Sequence, residues 1–122
     1  MEGKANEMFL DWITSKYFFK DKRYSNLNIY QKGDIGEFLR FPITKHAYIL
    51  EWLDSVEIII EIGIHQRIRD LNMWRGKINN FLYDDLEFKV SRQEATEVAI
   101  KKAVEIYNSK YGNPQVDPET TK

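Results

Sequence analysis

Residues 91–111 read Ser-Arg-Gln-Glu-Ala-Thr-Glu-Val-Ala-Ile-Lys-Lys-Ala-Val-Glu-Ile-Tyr-Asn-Ser-Lys-Tyr. Ser91 is a good N-cap type, and Glu94 three residues later completes the signature of a capping box. Ala95, Ala99, Ala103 and Ile106 make one apolar row, with Thr96, Ile100, Val104, Tyr107 and Tyr111 beside it. The two rows form one wide apolar face with the helical period. Glu94, Glu97, Lys101 and Glu105 fall opposite, in water. Gly112 and Pro114 then stop the helix. Alanines let another backbone come close, so this stretch predicts a long helix lying flat on a sheet.

Working backwards, Leu86, Phe88 and Val90 alternate with Glu87 and Lys89, a strand feeding into that helix. Asp84-Asp85 reads as a turn, and Lys77 to Tyr83 as another strand with Ile78 pointing inward. Ile64, Gln66 and Ile68 alternate with His65, Arg67 and Arg69, which predicts a strand with one basic face. Asp70-Leu71-Asn72 turns the chain between them. Before Gly63 the period is helical: Ile49, Trp52, Leu53, Val56, Ile59 and Ile60 predict a helix from Thr44 to residue 62, with Gly63 just past its end. The three β-branched residues Ile58-Ile59-Ile60 favour a strand, but they lack the alternation of a half-buried one.

At the front, Met8, Phe9, Trp12 and Ile13 form an apolar stripe that predicts a helix over residues 6–16, with Asn6 as cap. Tyr17-Phe18-Phe19 reads as a short strand or a helix end, and Lys20-Asp21-Lys22-Arg23 as a charged turn. Leu27 to Tyr30 and Phe38 to Phe41 suggest a hairpin around Lys32-Gly33-Asp34, ended by Pro42. Gaps between strands are short, so hairpins are favoured over parallel crossovers. The expected fold is α+β: one domain over residues 1–111 with a small antiparallel sheet, three helices packed on it and a flexible tail over 112–122.

Two of these helices resemble a pattern in small uncharacterised proteins of phages and mobile elements of Bacteroidota bacteria. Ser91, Arg92, Glu94, Ala95, Ala99, Ile100, Val104, Tyr107 and Asn108 carry the resemblance in the last helix. Trp52, Leu53, Val56, Ile60, Glu61 and Gly63 carry it in the middle one, and Phe9 to Ile13 match the family's opening helix loosely. Glu51 stands before Trp52 where that family has Asp, and Asn72 to Asn80 is an extra segment. The resemblance implies an α/β/α-layered domain encoded by a phage or prophage. It implies no established activity, so no residue role follows from it.

Composition sets further bounds. With 43% hydrophobic and 14% aromatic residues, 122 residues can bury a core. The net charge of -1 gives no global steering towards nucleic acid, which is therefore a disfavoured partner. Without cysteine there is neither a disulfide framework nor a thiolate zinc site. The opening Met-Glu-Gly-Lys-Ala-Asn has no apolar core of a signal peptide. Glu51, Asp54, Glu57 and Glu61 interrupt the longest apolar stretch, so no membrane span is expected. A cytoplasmic location in a bacterial host cell is the expectation.

Catalytic and metal chemistry find little support. His46 and His65 have no second ligand at a metal-like spacing. Ser has no His beside it, and Gly33-Asp34-Ile35-Gly36 lacks the rest of a phosphate-binding loop. Asp84, Asp85 and Glu87 read as a solvated turn rather than a carboxylate pair. The sequence thus predicts no catalytic residues, no metal and no cofactor.

The basic segment carries the functional signal. His65, Arg67, Arg69, Arg75 and Lys77 gather around Trp74, opposed only by Asp70. Arginines there can fork onto phosphates or carboxylates, and Trp74 can stack on a ring. The bland reading is a charged sheet edge that pairs with Glu57, Glu61, Asp84 and Asp85 and deters aggregation. The expected function is a non-catalytic binding protein that engages a host or anti-phage defence protein. The alternative is a protein that sequesters a phosphorylated, nucleotide-type small molecule with the same segment. A second protein-binding candidate is Tyr17, Phe18 and Phe19 beside Lys20, Lys22 and Arg23. The oligomeric state stays open, a homodimer included.

Overall fold

Hydrogen bonding along the chain gives four α-helices and one antiparallel hairpin in a computed structural model that describes residues 1–112. The helices are α1 (Gly3–Ile13), α2 (Ile29–Phe38), α3 (Pro42–Ser55) and α4 (Arg92–Tyr111). The strands are β1 (Ile60–Ile68) and β2 (Leu71–Ile78). The α+β class and the small antiparallel sheet are as the sequence indicates, with one helix more. The tail expected from Gly112 lies, from Asn113 onwards, outside the described residues.

The helix α4 has the predicted bounds. Ser91 Oγ accepts the Glu94 N–H at 3.1 Å, though the return bond of a full capping box is not made. Ala95, Ala99, Ala103, Ile100, Val104 and Tyr107 are all buried. Their face meets the hairpin on one side and α1 and α3 on the other. The core is completed by Phe9, Ile13, Ile35, Ile49, Trp52, Leu53, Ile78 and Leu86. Trp52 stands between Phe9 and Tyr107, with ring centroids 6.1 and 5.0 Å away. At the far end, Asn108 ties down the start of α1: its Oδ1 accepts the Ala5 N–H at 2.8 Å and its Nδ2 donates to the Glu2 carbonyl at 3.0 Å.

The first half of the chain differs most from its sequence reading. Leu27 to Tyr30 is not a strand, because Asn28 caps α2. Its side chain accepts the Gln31 N–H at 2.9 Å, and Gln31 Oε1 accepts the Asn28 N–H at 3.0 Å. Asn-x-x-Gln thus works here as a capping box. Phe38 to Phe41 is not a strand either: Phe38 ends α2, and Pro42 is the first residue of α3, where its missing N–H costs nothing. The first helix begins at Gly3, so Asn6 lies inside it rather than capping it. It leaves through a wide π-type turn at Thr14–Phe18, closed by Phe19 N–H to the Thr14 carbonyl at 2.7 Å.

The middle helix stops at Ser55, seven residues short of its predicted end. Glu57 takes a left-handed conformation, φ 65. Ile58 N–H bonds the Leu53 carbonyl at 2.9 Å and Glu57 N–H bonds the Asp54 carbonyl at 3.0 Å. Those two bonds are a Schellman termination. The β-branched preference of Ile58-Ile59-Ile60 prevails over the helical spacing, and β1 starts at Ile60. Ile60, Glu61 and Gly63, which the resemblance places in and just after a helix, therefore belong to a strand.

Register in the hairpin runs Ile60↔Ile78, Glu61↔Lys77, Ile62↔Gly76, Gly63↔Arg75 and Ile64↔Trp74. A bulge follows, after which Gln66↔Met73, Arg67↔Asn72 and Ile68↔Leu71 pair. Arg69 and Asp70, both with positive φ (51 and 68), make the two-residue turn. The strand expected over Lys77 to Tyr83 instead begins at Leu71 and ends at Ile78, followed by an Asn79-Asn80 turn. Of the strand expected over Leu86 to Val90, one bridge forms, Trp74↔Lys89.

Candidate functional site

Alternation from one fixed point assigns the two faces of the hairpin. Gly76 packs on Ala99, so its face is turned to α4. Ile62 opposite and Ile78 two residues on share that face, as does Trp74. Arg75 and Lys77 point the other way, towards Leu82 and Phe88 of the loop that follows β2.

The bulge divides the expected basic face. His65 is the extra residue, with no partner on β2. Arg67 pairs with Asn72, three positions from Arg75, so Arg67 and Arg75 lie on opposite faces. Arg69 is in the turn. The six candidate residues thus fall into three settings.

Arg67 and Arg69 sit on an exposed arm. Every residue from Gly63 to Asn72 is exposed. Among them Ile64, Ile68 and Leu71 present 52%, 44% and 57% of their surface to solvent. Among the described residues, neither arginine is in an ion pair; the acids named in the bland reading do not reach them.

Arg75, Lys77 and His65 converge on the loop side. One terminal nitrogen of Arg75 donates to the Tyr83 carbonyl at 2.8 Å. Its guanidinium lies over the Phe88 ring at 5.0 Å, and the His65 ring is 5.1 Å from the same ring. Arg75 Nε is buried without an acceptor among the described residues. Arg75 is therefore half-buried and partly structural, since it pins the 79–88 loop to the sheet.

Trp74 is engaged elsewhere. Its backbone makes the bridge to Lys89, with bonds of 2.7 and 2.9 Å. The Arg92 guanidinium covers its ring at 4.8 Å. The ring that was a candidate for stacking on a ligand stacks instead on the first residue of α4.

The remaining candidates resolve in a similar way. Lys102 pairs with Asp85 at 2.9 Å, and its hydrogen bond holds the Asp85 carboxyl below the usual carboxylate range. Phe18 and Phe19 pack partly against the core and Tyr17 is 44% exposed. Tyr17 Oη donates to both oxygens of Glu51 at 2.8 and 2.7 Å. Among the described residues, no three His, Asp or Glu groups are placed to hold a metal ion. No helix there is long and apolar enough to cross a membrane.

Sequence reasoning missed Gly63 and Phe88. Phe88 reads as one apolar position of a strand, and nothing local shows that the Arg75 guanidinium and the His65 ring both meet its ring. Gly63 reads as a helix stop, but it is the open floor between His65 and Arg75. Glycine within a run of isoleucines was the available signal, because it marks a close approach or a bulge once the run is read as a strand.

No protein-family model matches this chain, and no curated protein or solved structure matches it either.

Proposed function

We propose that the protein is a non-catalytic binding protein whose contact surface is the β1–β2 arm and whose partner is a protein with an acidic surface. The observation that supports this most is the arm itself. Ten consecutive exposed residues, 63–72, carry Ile64 and Arg67 on one face of the arm, Ile68 and Leu71 on the other, and Arg69 in the turn. Apolar anchors flanked by arginines are the usual composition of a protein-binding hot spot. The pattern over Ser91 to Asn108 directs the search to host and defence proteins of a bacterial cell.

The experiment is the double substitution Arg67→Ala with Arg69→Ala. Both side chains are exposed and, among the described residues, in no ion pair, so stability should shift by less than about 1 kcal/mol. Binding to the partner should weaken by about 2 kcal/mol or more, and the residual affinity should depend less on salt. Full affinity in the double variant would reduce the arm to a solvated edge and move the search to Tyr17, Phe18 and Phe19.

A further inference from the structure

We propose that the loop-side face of the hairpin is a separate binding site for the phosphate group of a small phosphorylated metabolite. A cleft of about 290 Å³ lies there, lined in part by Glu61, Gly63, His65, Arg75, Lys77 and Leu82. Of the eight residues that line it, three carry nitrogen groups and one a carboxylate, the others being Gly63 and the aliphatic Ile62, Ile64 and Leu82. Arg75 and Lys77 are two apart on β2 and so stand side by side on one face. His65 enters from the bulge. Glu61 is opposite Lys77 in register, yet the two are not within ion-pair distance. Among the described residues, no anion is supplied to this cluster from elsewhere in the chain.

The arginine is held ready for a ligand. Phe88 under its plane and the Tyr83 carbonyl on one nitrogen fix the guanidinium, so little freedom is lost when an oxyanion binds. A phosphate monoester carries nearly two negative charges and three acceptor oxygens, which suits this set better than a singly charged carboxylate. The cleft is at the lower end of the roughly 300–1,000 Å³ of small-molecule pockets. That fits a phosphate with a sugar-sized group and not a dinucleotide.

Gly63 makes the proposal testable. A Cβ built there meets nothing within 4 Å, so the glycine leaves the floor of the cleft open rather than relieving a clash. Gly63→Val should fill the cleft while keeping the strand, because valine favours this conformation and glycine does not.

The test is titration of the whole chain, followed by nuclear magnetic resonance, with inorganic phosphate, adenosine 5′-monophosphate, adenosine and acetate at constant ionic strength. Phosphate and the monophosphate should bind saturably and shift the amides of Gly63, His65 and Lys77, and adenosine and acetate should not. Gly63→Val should weaken phosphate binding by about tenfold or more with no loss of thermal stability, and Lys77→Gln should weaken it as well. Arg67→Ala with Arg69→Ala should leave it unchanged, which separates the cleft from the arm. The proposal is overturned if no phosphate probe saturates in the millimolar range, if a well-folded Gly63→Val and Lys77→Gln both bind like the wild type, or if binding is lost with the arm variant alone.

Discussion

A Cβ on Gly76 would lie 2.9 Å from the Cβ of Ala99. The hairpin and α4 therefore meet backbone to backbone, which is the close approach that the alanine row permits. Ile62 Cδ1, 3.0 Å from the same point, closes the contact from the other strand.

Gly76→Ala should destabilise the protein by about 1–3 kcal/mol, because the Ala99 Cβ at 2.9 Å can move only with its helix, whereas the Ile62 δ-methyl can rotate aside. Glycine in a strand ordinarily gains from this change, so the loss would be specific to the contact. Ala99→Asp should cost on the order of 3 kcal/mol or more, since Ala99 is fully buried and a charge there has no partner. Denaturant titration of both variants checks this. A Gly76→Ala protein as stable as the wild type would mean that α4 does not lie flat on the hairpin.

Glu57→Gly should stabilise the protein by about 1 kcal/mol. Glu57 occupies the left-handed position of the Schellman motif that ends α3, which costs an L-residue roughly 1–2 kcal/mol. Its side chain is exposed and, among the described residues, in no ion pair, so little is given up. Glu57→Val should do the reverse. A higher unfolding midpoint for glycine and a lower one for valine is the expected order, and the opposite order would place the end of α3 elsewhere.

Tyr17 should titrate late. Its hydroxyl donates to Glu51, and that bond, followed by partial burial and the negative charge, pushes its pKa from 10.0 to about 12. A folded pKa raised above the unfolded one gives stability that is complete below pH 10 and is lost as pH rises towards 12. Glu51 is lowered by the same bond and then by Lys16, so its share is present above the ordinary Glu range and is lost on acidification. Ultraviolet titration of the wild type against Tyr17→Phe isolates this group. Glu51→Gln should return Tyr17 towards 10, and an unchanged high value in that variant would assign the shift to another cause.

How much of this was legible in the sequence follows from where the controlling interaction lies. The last helix was readable because its cap, apolar face and stop are all local. The α+β class followed from the change of period after Gly63. Asn28 with Gln31 and Pro42 at a helix start are also local signals, but their neighbours Leu27 to Tyr30 and Phe38 to Phe41 imitate strands. Ile58-Ile59-Ile60 fits two periods, and only pairing with β2 decides between them. The bulge at His65 has no signature of its own, yet it sends Arg67 to the face opposite Arg75. The six candidate residues were found as a cluster, but their division into an arm, a cleft and a packed tryptophan depends on that one extra residue.

Whether the arm carries the partner contact is tested most directly by capture from a bacterial lysate on immobilised protein. Wild type, Arg67→Ala with Arg69→Ala, and Gly63→Val would be compared by quantitative mass spectrometry of the bound proteins. The expected result is an acidic protein retained by the wild type and by Gly63→Val, released by moderate salt, and lost from the arm variant. A partner held equally by the wild type and the arm variant would contradict the claim.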